Sequence, residues 1–154
     1  MQSYQIQGIP ESIAAAARET LKSPQYGHPA HTEVASGYGP CRLCLKTFEQ
    51  GIEERLLFTY QPFTDPSALP APGPVFIHRE QCERYDGSAL PEMIRPLPLA
   101  IEGYGDEGEL LLQRRVGSTA FESVLEGVFE VNAVRYAHLR NAEAGCFIAR
   151  VDRG

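Results

Sequence analysis

The sequence has no long apolar run and no recognisable targeting signal. Its longest apolar stretch, residues 13–17, is only five residues long, whereas a membrane-spanning helix needs about 18. Residues 1–10 carry no basic region followed by an apolar core, so we expect no signal peptide and a cytoplasmic location. In that compartment the four cysteines are expected to stay reduced, which argues against a disulfide framework.

The sequence also lacks an excess of basic residues. Fourteen Lys and Arg against twenty Asp and Glu give a net charge of -6. Nucleic-acid binding draws most of its affinity from phosphate neutralisation by Lys and Arg, and no basic stripe is present here. We therefore expect neither nucleic acid nor a membrane surface as a partner.

Standard catalytic signatures are missing as well. There is no Gly-x-Ser-x-Gly elbow, no phosphate-binding glycine loop and no His-Glu-x-x-His helix. Residues 103–108 (GYGDEG) superficially match a dinucleotide-binding pattern. A strand is predicted to follow them, so no helix N-terminus is available for a pyrophosphate, and the segment is predicted to be a turn. No catalytic residue is assigned.

What the sequence does contain is the pattern of one α+β domain over residues 1–154. We expect a mostly antiparallel or mixed sheet with two main helices packed on one face. Strands are predicted by alternation and by bounding Gly and Pro residues: 4–9, 33–35, 55–60, 75–78, 97–104, 109–116, 133–140 and 146–152. A first helix is predicted from Glu11 to about Leu21, after Pro10.

The second helix carries the strongest helical signal in the chain. Thr119 is followed three residues later by Glu122, which predicts a capping box at its N-terminus. Apolar residues then recur at helical spacing and predict one buried stripe: Phe121, Val124, Leu125, Val128 and Phe129.

Two short motifs supply a candidate metal site. Cys41 and Cys44 form a Cys-x-x-Cys pair, and His78 and Cys82 lie four residues apart. Three thiolates and one imidazole suit the tetrahedral preference of zinc. We therefore predict Cys41, Cys44, His78 and Cys82 as ligands of a structural zinc ion.

Other interpretations of these residues remain open. His28 and His31 precede Cys41 closely enough that a His₂Cys₂ set is conceivable. Reduced cysteines are also small hydrophobic residues that pack in cores without any chemical role. A thiol-dependent enzyme would instead use Cys41 or Cys82 as nucleophile and His78 as base.

A second candidate cluster lies near the C-terminus. Tyr136, His138 and Arg140 project from one face of a predicted strand that ends beside Asn141. A solvent-facing strand surface is the favoured interpretation. The alternative is a pocket that binds an anion or carboxylate through His138, Arg140, Asn141, Arg42 and Tyr85.

Several segments of the chain together resemble a known family. They are residues 37–45 (GYGPCRLCL), 57–63 (LFTYQPF), 73–78 (GPVFIH), 82–85 (CERY), and 140–142 (RNA) with 145–147 (GCF). The chain is similar to the domain of unknown function 1203 family (DUF1203) from residue 37 to the C-terminus, and the first 36 residues match less well. The resemblance implies a small bacterial cytoplasmic protein without an established activity.

The expected function is that of a small cytosolic binding or interaction domain that self-associates and has a small molecule or a protein as its partner. Zinc is the only cofactor expected. The alternative is a thiol-dependent enzyme of small-molecule chemistry that uses a Cys/His pair.

Overall fold

The structure is a computed structural model that describes residues 4–37, 40–63 and 73–153. In chain order the elements are β1 (Tyr4–Gln7), α1 (Glu11–Thr20), β2 (His31–Val34), β3 (Glu54–Tyr60), β4 (Gly73–His78), β5 (Asp86–Gly87), β6 (Leu99–Tyr104), β7 (Leu110–Arg115), α2 (Phe121–Phe129), β8 (Tyr136–Asn141) and β9 (Phe147–Arg153). Within the described ranges, no helix is long and apolar enough to cross a membrane.

The chain groups into two compact units. Gly8–Tyr85 forms one, called here the N-terminal unit, and Met1–Gln7 with Asp86–Gly154 forms the other, called the C-terminal unit. The two units are defined by their internal contacts, which do not tell whether either folds alone. The prediction of a single domain over residues 1–154 therefore stays a prediction.

The N-terminal unit contains α1 and an antiparallel three-stranded sheet in the order β2-β3-β4. The alanine-rich helix buries only small side chains, those of Ala14 and Ala17. It ends at Leu21, whose left-handed backbone lets its N–H bond to the carbonyl of Ala17. Short side chains let a helix approach its neighbours closely, and this brings the last turn of α1 near the end of β4.

The C-terminal unit is an antiparallel six-stranded sheet in the order β5-β1-β9-β8-β6-β7. Every residue of β6 is buried. Helix α2 packs on this sheet over Gly103, where a Cβ would lie 3.0 Å from the side chain of Val128. The predicted apolar stripe is confirmed in Phe121, Leu125, Val128 and Phe129, which are all buried, whereas Val124 is half-buried.

Two predictions about the helices need correction. The two helices lie in different units and pack with different sheets, rather than on one face of one sheet. The prediction of a capping box is wrong, because α2 begins at Phe121 with Ala120 as its N-cap and has no side-chain capping hydrogen bond. Thr119 lies one residue too early for its hydroxyl to take the N-cap position.

The turn predicted within residues 103–108 is confirmed from Gly105 to Gly108, whereas Gly103 and Tyr104 are the last two residues of β6. The N–H of Gly105 bonds to the carbonyl of Glu109, and that of Gly108 bonds to the carbonyl of Gly105. Gly108 has a φ of 78°, which favours glycine at that position. The turn joins β6 to β7, so the segment has no phosphate-binding helix behind it.

Candidate metal centre

The Cys-x-x-Cys motif forms a tight reversal of the chain. The N–H of Leu45 bonds to the carbonyl of Cys41 at 2.8 Å, and the N–H of Cys41 bonds to the carbonyl of Lys46 at 2.9 Å. Leu45 adopts a φ of 60°, a left-handed conformation that costs a non-glycine residue about 1–2 kcal/mol. This reversal, residues 41–45, is called the knuckle below, and it turns the Cys41 and Cys44 side chains toward one point.

Neighbouring segments hold the knuckle in place through backbone hydrogen bonds. The N–H of Arg42 donates to the carbonyl of Phe76 in β4, and the N–H of Ile9 donates to the carbonyl of Arg42. Gly8 lies so close that a Cβ would be 2.1 Å from the carbonyl oxygen of Leu43. Only glycine therefore permits this approach.

The other two candidate ligands come from the end of β4. His78 is the last residue of the strand, and Cys82 follows after a short loop. Because the knuckle is bonded to β4 at Phe76, both halves of the predicted set meet at one end of the three-stranded sheet.

The four candidate ligand atoms form one cluster. The three Sγ atoms and one imidazole nitrogen all lie within 4.8 Å of one another. Cys41 Sγ is 3.8 Å from Cys82 Sγ, and Cys44 Sγ is 3.4 Å from His78 Nδ1. A tetrahedral zinc ion with its usual bond lengths sets these distances at about 3.8 Å between two sulfurs and about 3.5 Å between sulfur and nitrogen. These two contacts therefore match the spacing of ligands around a tetrahedral metal ion.

The cluster is also largely shielded from water. Cys41 and Cys44 are 0% and 6% exposed and His78 is 9% exposed, while Cys82 is half-buried. The ring of Phe48 packs on the imidazole with centroids 4.6 Å apart. Such shielding lowers the local dielectric constant and slows ligand exchange.

Further residues orient the candidate ligands from outside the cluster. His78 Nε2 lies 3.2 Å from a carboxylate oxygen of Glu53, so the other ring nitrogen faces the sulfurs. Pairing of a ligand histidine with a carboxylate is typical of zinc sites. The N–H of His78 also donates to Cys41 Sγ at 3.4 Å.

Arg18 in α1 contacts both residues of the second motif. Its Nη2 donates to Cys82 Sγ at 3.3 Å, and its Nε donates to the carbonyl of His78 at 3.1 Å. With a Zn²⁺ ion bound, three thiolates and one neutral imidazole would give the cluster a net charge of about -1, which the guanidinium of Arg18 would offset.

The protons within the cluster are unevenly distributed. Burial raises the pKa of Cys41, but side-chain hydrogen bonds from Cys44 and Cys82, with two backbone donors, lower it overall. Hydrogen bonding to Cys41 and Cys82, together with burial, raises the pKa of Cys44. The hydrogen bond with Cys82 raises the pKa of His78 despite its burial. The cluster thus favours a thiolate at Cys41, the form in which cysteine binds metal.

The alternative ligand pair does not join this cluster. His28 and His31 are both exposed, and among the described residues the group that could hold a metal ion consists of Cys41, Cys44, His78 and Cys82. The His₂Cys₂ hypothesis is therefore wrong.

The second candidate cluster is divided between the two units. Arg42 and Tyr85 belong to the N-terminal unit, where Arg42 is buried and donates to the carbonyl of Pro40. His138, Arg140 and Asn141 belong to the C-terminal unit. A ligand-binding role for these five residues stays a prediction.

The favoured interpretation of the β8 face as solvent-facing is wrong. His138 and Arg140 are 1% and 7% exposed. Arg140 Nε donates to Glu102 in β6, and its Nη1 donates to the carbonyl of Gly145 at 3.1 Å. The hydroxyl of Tyr104 also donates to Glu102, at 2.7 Å. These residues form a buried polar network on one sheet face.

Sequence reasoning missed three residues of these sites: Glu53, Arg18 and Glu102. Glu53 lies beside Glu54 and Arg55, and Arg18 follows four alanines as an ordinary polar helix residue, so neither is set apart in the sequence. Glu102 carried a usable signal, since a single carboxylate within an otherwise apolar strand implies a buried partner.

No curated protein and no solved structure matches the chain. A family model described as "Protein of unknown function (DUF1203)" matches residues 38–153, which is most of the chain and includes the knuckle, His78, Cys82 and the β8 network. The resemblance found in the sequence is thereby confirmed, and the chain belongs to the DUF1203 family.

Proposed function

We propose that this chain is a small binding domain whose N-terminal unit is held together by one structural zinc ion on Cys41, Cys44, His78 and Cys82. The observation that carries the proposal is the convergence of four ligand atoms within 4.8 Å. They come from two motifs separated by more than thirty residues, and chance packing of four such side chains is uncommon.

Zinc is the metal that fits these ligands best. Soft thiolates select zinc, copper(I) or iron–sulfur centres, and an imidazole completing a tetrahedron with three sulfurs favours zinc. Glu53 and Arg18 support this choice, since one orients the imidazole and the other balances the excess negative charge.

A structural role follows from the number of ligands and their burial. Four protein ligands fill the tetrahedral shell and leave no position for a water molecule or a substrate. The ion would join the knuckle, the end of β4 and the loop at Cys82. Such an ion contributes directly to folding free energy, because the site does not exist in the unfolded chain.

The thiol-dependent enzyme, with Cys41 or Cys82 as nucleophile and His78 as base, remains the second candidate. The hydrogen bond between Cys82 and His78 is the contact that a nucleophile and its base would make. Against it, Cys41 is 0% exposed, which denies a substrate access to that sulfur. The convergence of four ligand atoms also exceeds what a nucleophile and one base require.

The wider role is proposed on general grounds. Thiolate ligands persist in a reducing compartment, which supports the cytoplasm, and the net charge of -6 supports a protein or small-molecule partner over nucleic acid. Self-association is part of the proposal, and light scattering of the purified chain measures it.

Elemental mass spectrometry of protein purified without a histidine tag tests the zinc site. We expect close to one zinc per chain in the wild type, and a loss of most of it in Cys44→Ser, because a thiolate is a far better ligand than a hydroxyl. Cys146→Ser is the matched control, since Cys146 is outside the cluster and should keep its zinc.

Two outcomes would contradict the proposal. One is a metal-free wild type in which all four thiols titrate as free; the other is equal zinc content in Cys44→Ser and Cys146→Ser. Turnover that depends on His78 and on Cys41 or Cys82 in metal-free protein would instead support the enzyme.

A further inference from the structure

We propose that Cys82 is a modification site, at which the zinc-bound thiolate is alkylated by a small soft electrophile that enters a cavity beside α1. The inference rests on the proposed zinc centre and adds to it a reactive ligand, an entry route and a class of reactant.

A cavity of about 210 Å³ adjoins the metal centre on one side. Helix α1 forms one wall with Glu11, Ser12, Ala15 and Arg18, which lie on one helix face by their spacing. Leu43, Gln81 and Cys82 complete the lining. Since Glu11, Ser12 and Ala15 are exposed, the cavity reaches the surface.

The cavity distinguishes Cys82 from the other two cysteines of the cluster. Cys82 lines it, whereas Cys41 and Cys44 do not and are 0% and 6% exposed. Zinc keeps a bound thiol deprotonated at neutral pH, so each ligand sulfur is an intrinsic nucleophile. Access alone then selects which sulfur reacts.

Arg18 lies where it affects this reaction directly. Its guanidinium donates to Cys82 Sγ at 3.3 Å and also lines the cavity. In a direct substitution the leaving group departs on the side of the carbon away from the sulfur, into the cavity that Arg18 lines, where the positive charge stabilises the departing anion. The reactants that fit are therefore small alkylating agents with an anionic leaving group.

The step is a substitution without electron transfer to or from the metal. A lone pair of Cys82 Sγ forms a bond to the electrophilic carbon, and the bond from that carbon to the leaving group breaks with both electrons going to the leaving group. The thiolate becomes a neutral thioether, a weaker zinc ligand, while Cys41, Cys44 and His78 keep the ion.

The test measures alkylation of each cysteine by iodoacetamide in zinc-loaded, tag-free protein carrying Cys146→Ser, followed by peptide mass spectrometry. We expect Cys82 to react first. Ala15→Leu, which fills the cavity without touching a ligand, should slow the reaction of Cys82 by roughly tenfold, corresponding to about 1.4 kcal/mol of added barrier. Ser12→Leu is a second blocking variant should Ala15→Leu fold poorly.

Glu19→Leu is the matched control, because Glu19 is an exposed α1 residue outside the cavity lining. Zinc content is measured on every sample. A protein without zinc contradicts the proposed function itself. A zinc-loaded protein in which Cys82 reacts no faster than Cys41, or in which both blocking variants react like Glu19→Leu, overturns the inference.

Discussion

Glu53 and Arg18 contact the candidate metal ligands from outside the cluster, although neither is adjacent to a cysteine in the sequence. Glu53 contacts the imidazole of His78, and Arg18 contacts Cys82. Each has a direct effect on the ligand it touches, through orientation in one case and charge in the other. At the residue scale, the site is therefore larger than its two motifs.

His138 is the residue whose burial has the clearest thermodynamic consequence. Burial, with a smaller contribution from Arg140 and Arg150, lowers its pKa to about 2. Rings of Tyr104, Tyr136 and Phe147 surround the imidazole. The folded protein therefore keeps a neutral histidine where an unfolded chain would bind a proton.

We predict that stability falls as the pH drops below about 6.5, the pKa of a histidine in an unfolded chain. The unfolded state then binds one proton more at this histidine than the folded state. His138 therefore lowers the free energy of unfolding by up to about 1.4 kcal/mol for each unit by which the pH falls. Urea unfolding from pH 7 to pH 4 measures this slope. His138→Gln, which does not titrate, should give a flatter profile than the wild type.

His28→Gln is the control for that comparison, since His28 is exposed and its replacement should leave the slope unchanged. Equal pH dependence of the free energy of unfolding in His138→Gln and the wild type would show that His138 does not cause the loss of stability.

At the scale of elements, the pairing of β6 with β8 creates the buried polar network. Register places Glu102 opposite His138 and Ala100 opposite Arg140, so the carboxylate and the guanidinium lie diagonally on one face of the sheet. Gly103, on the opposite face, makes room for α2. One strand thus presents a polar face and an apolar face, both buried.

We predict that Arg140→Met destabilises the protein by about 3–5 kcal/mol, because it leaves Glu102 buried without its cationic partner. Tyr104 and Gln113 would still donate to the carboxylate but supply no charge. Urea unfolding at neutral pH measures the change.

The double variant Glu102→Leu with Arg140→Met should regain much of the loss, since it removes the unpaired charge. Arg114→Met, on the exposed strand β7, is the control and should cost less than about 1 kcal/mol. Equal stability of Arg140→Met and Arg114→Met would show that the ion pair does not contribute to the free energy of unfolding.

For the whole molecule, the proposed zinc ion lies entirely within the N-terminal unit. We predict that, when a strong chelator removes the ion, protection from hydrogen exchange is lost first at the amides of Ile9, Arg42 and Tyr85. These N–H groups donate the backbone hydrogen bonds that hold the knuckle. Loss of the ion frees these segments, because their alignment depends on the shared ligand. Amides of β8 and β9 should keep their protection at the same chelator concentration.

Cys44→Ser provides the comparison: without bound zinc, its exchange pattern should not respond to the chelator. Uniform loss of protection in both units of the wild type would show that the ion stabilises the molecule globally rather than the knuckle.

Much of the fold was predictable because it depends on local pattern. Alternating apolar residues and bounding Gly and Pro residues located β3, β4 and β7 almost to their observed ends, and apolar periodicity located α2. The α2 cap was not predictable, because Thr119 and Glu122 fit the capping pattern while the chain enters the helix at Ala120. Assignment of the strands to two sheets also lay beyond local pattern, since it depends on pairing between distant segments.

The sequence by itself determined the ligand types and their spacing, the α+β class and the family. Only the tertiary structure decided that Cys41, Cys44, His78 and Cys82 meet, that His28 and His31 do not join them, and that His138 and Arg140 are buried. The physical reason is that spacing along a chain fixes geometry only over a few residues. Proximity of the knuckle to the end of β4 depends on hydrogen bonds from Arg42 to Phe76 and from Ile9 to Arg42, which form only when the chain has folded.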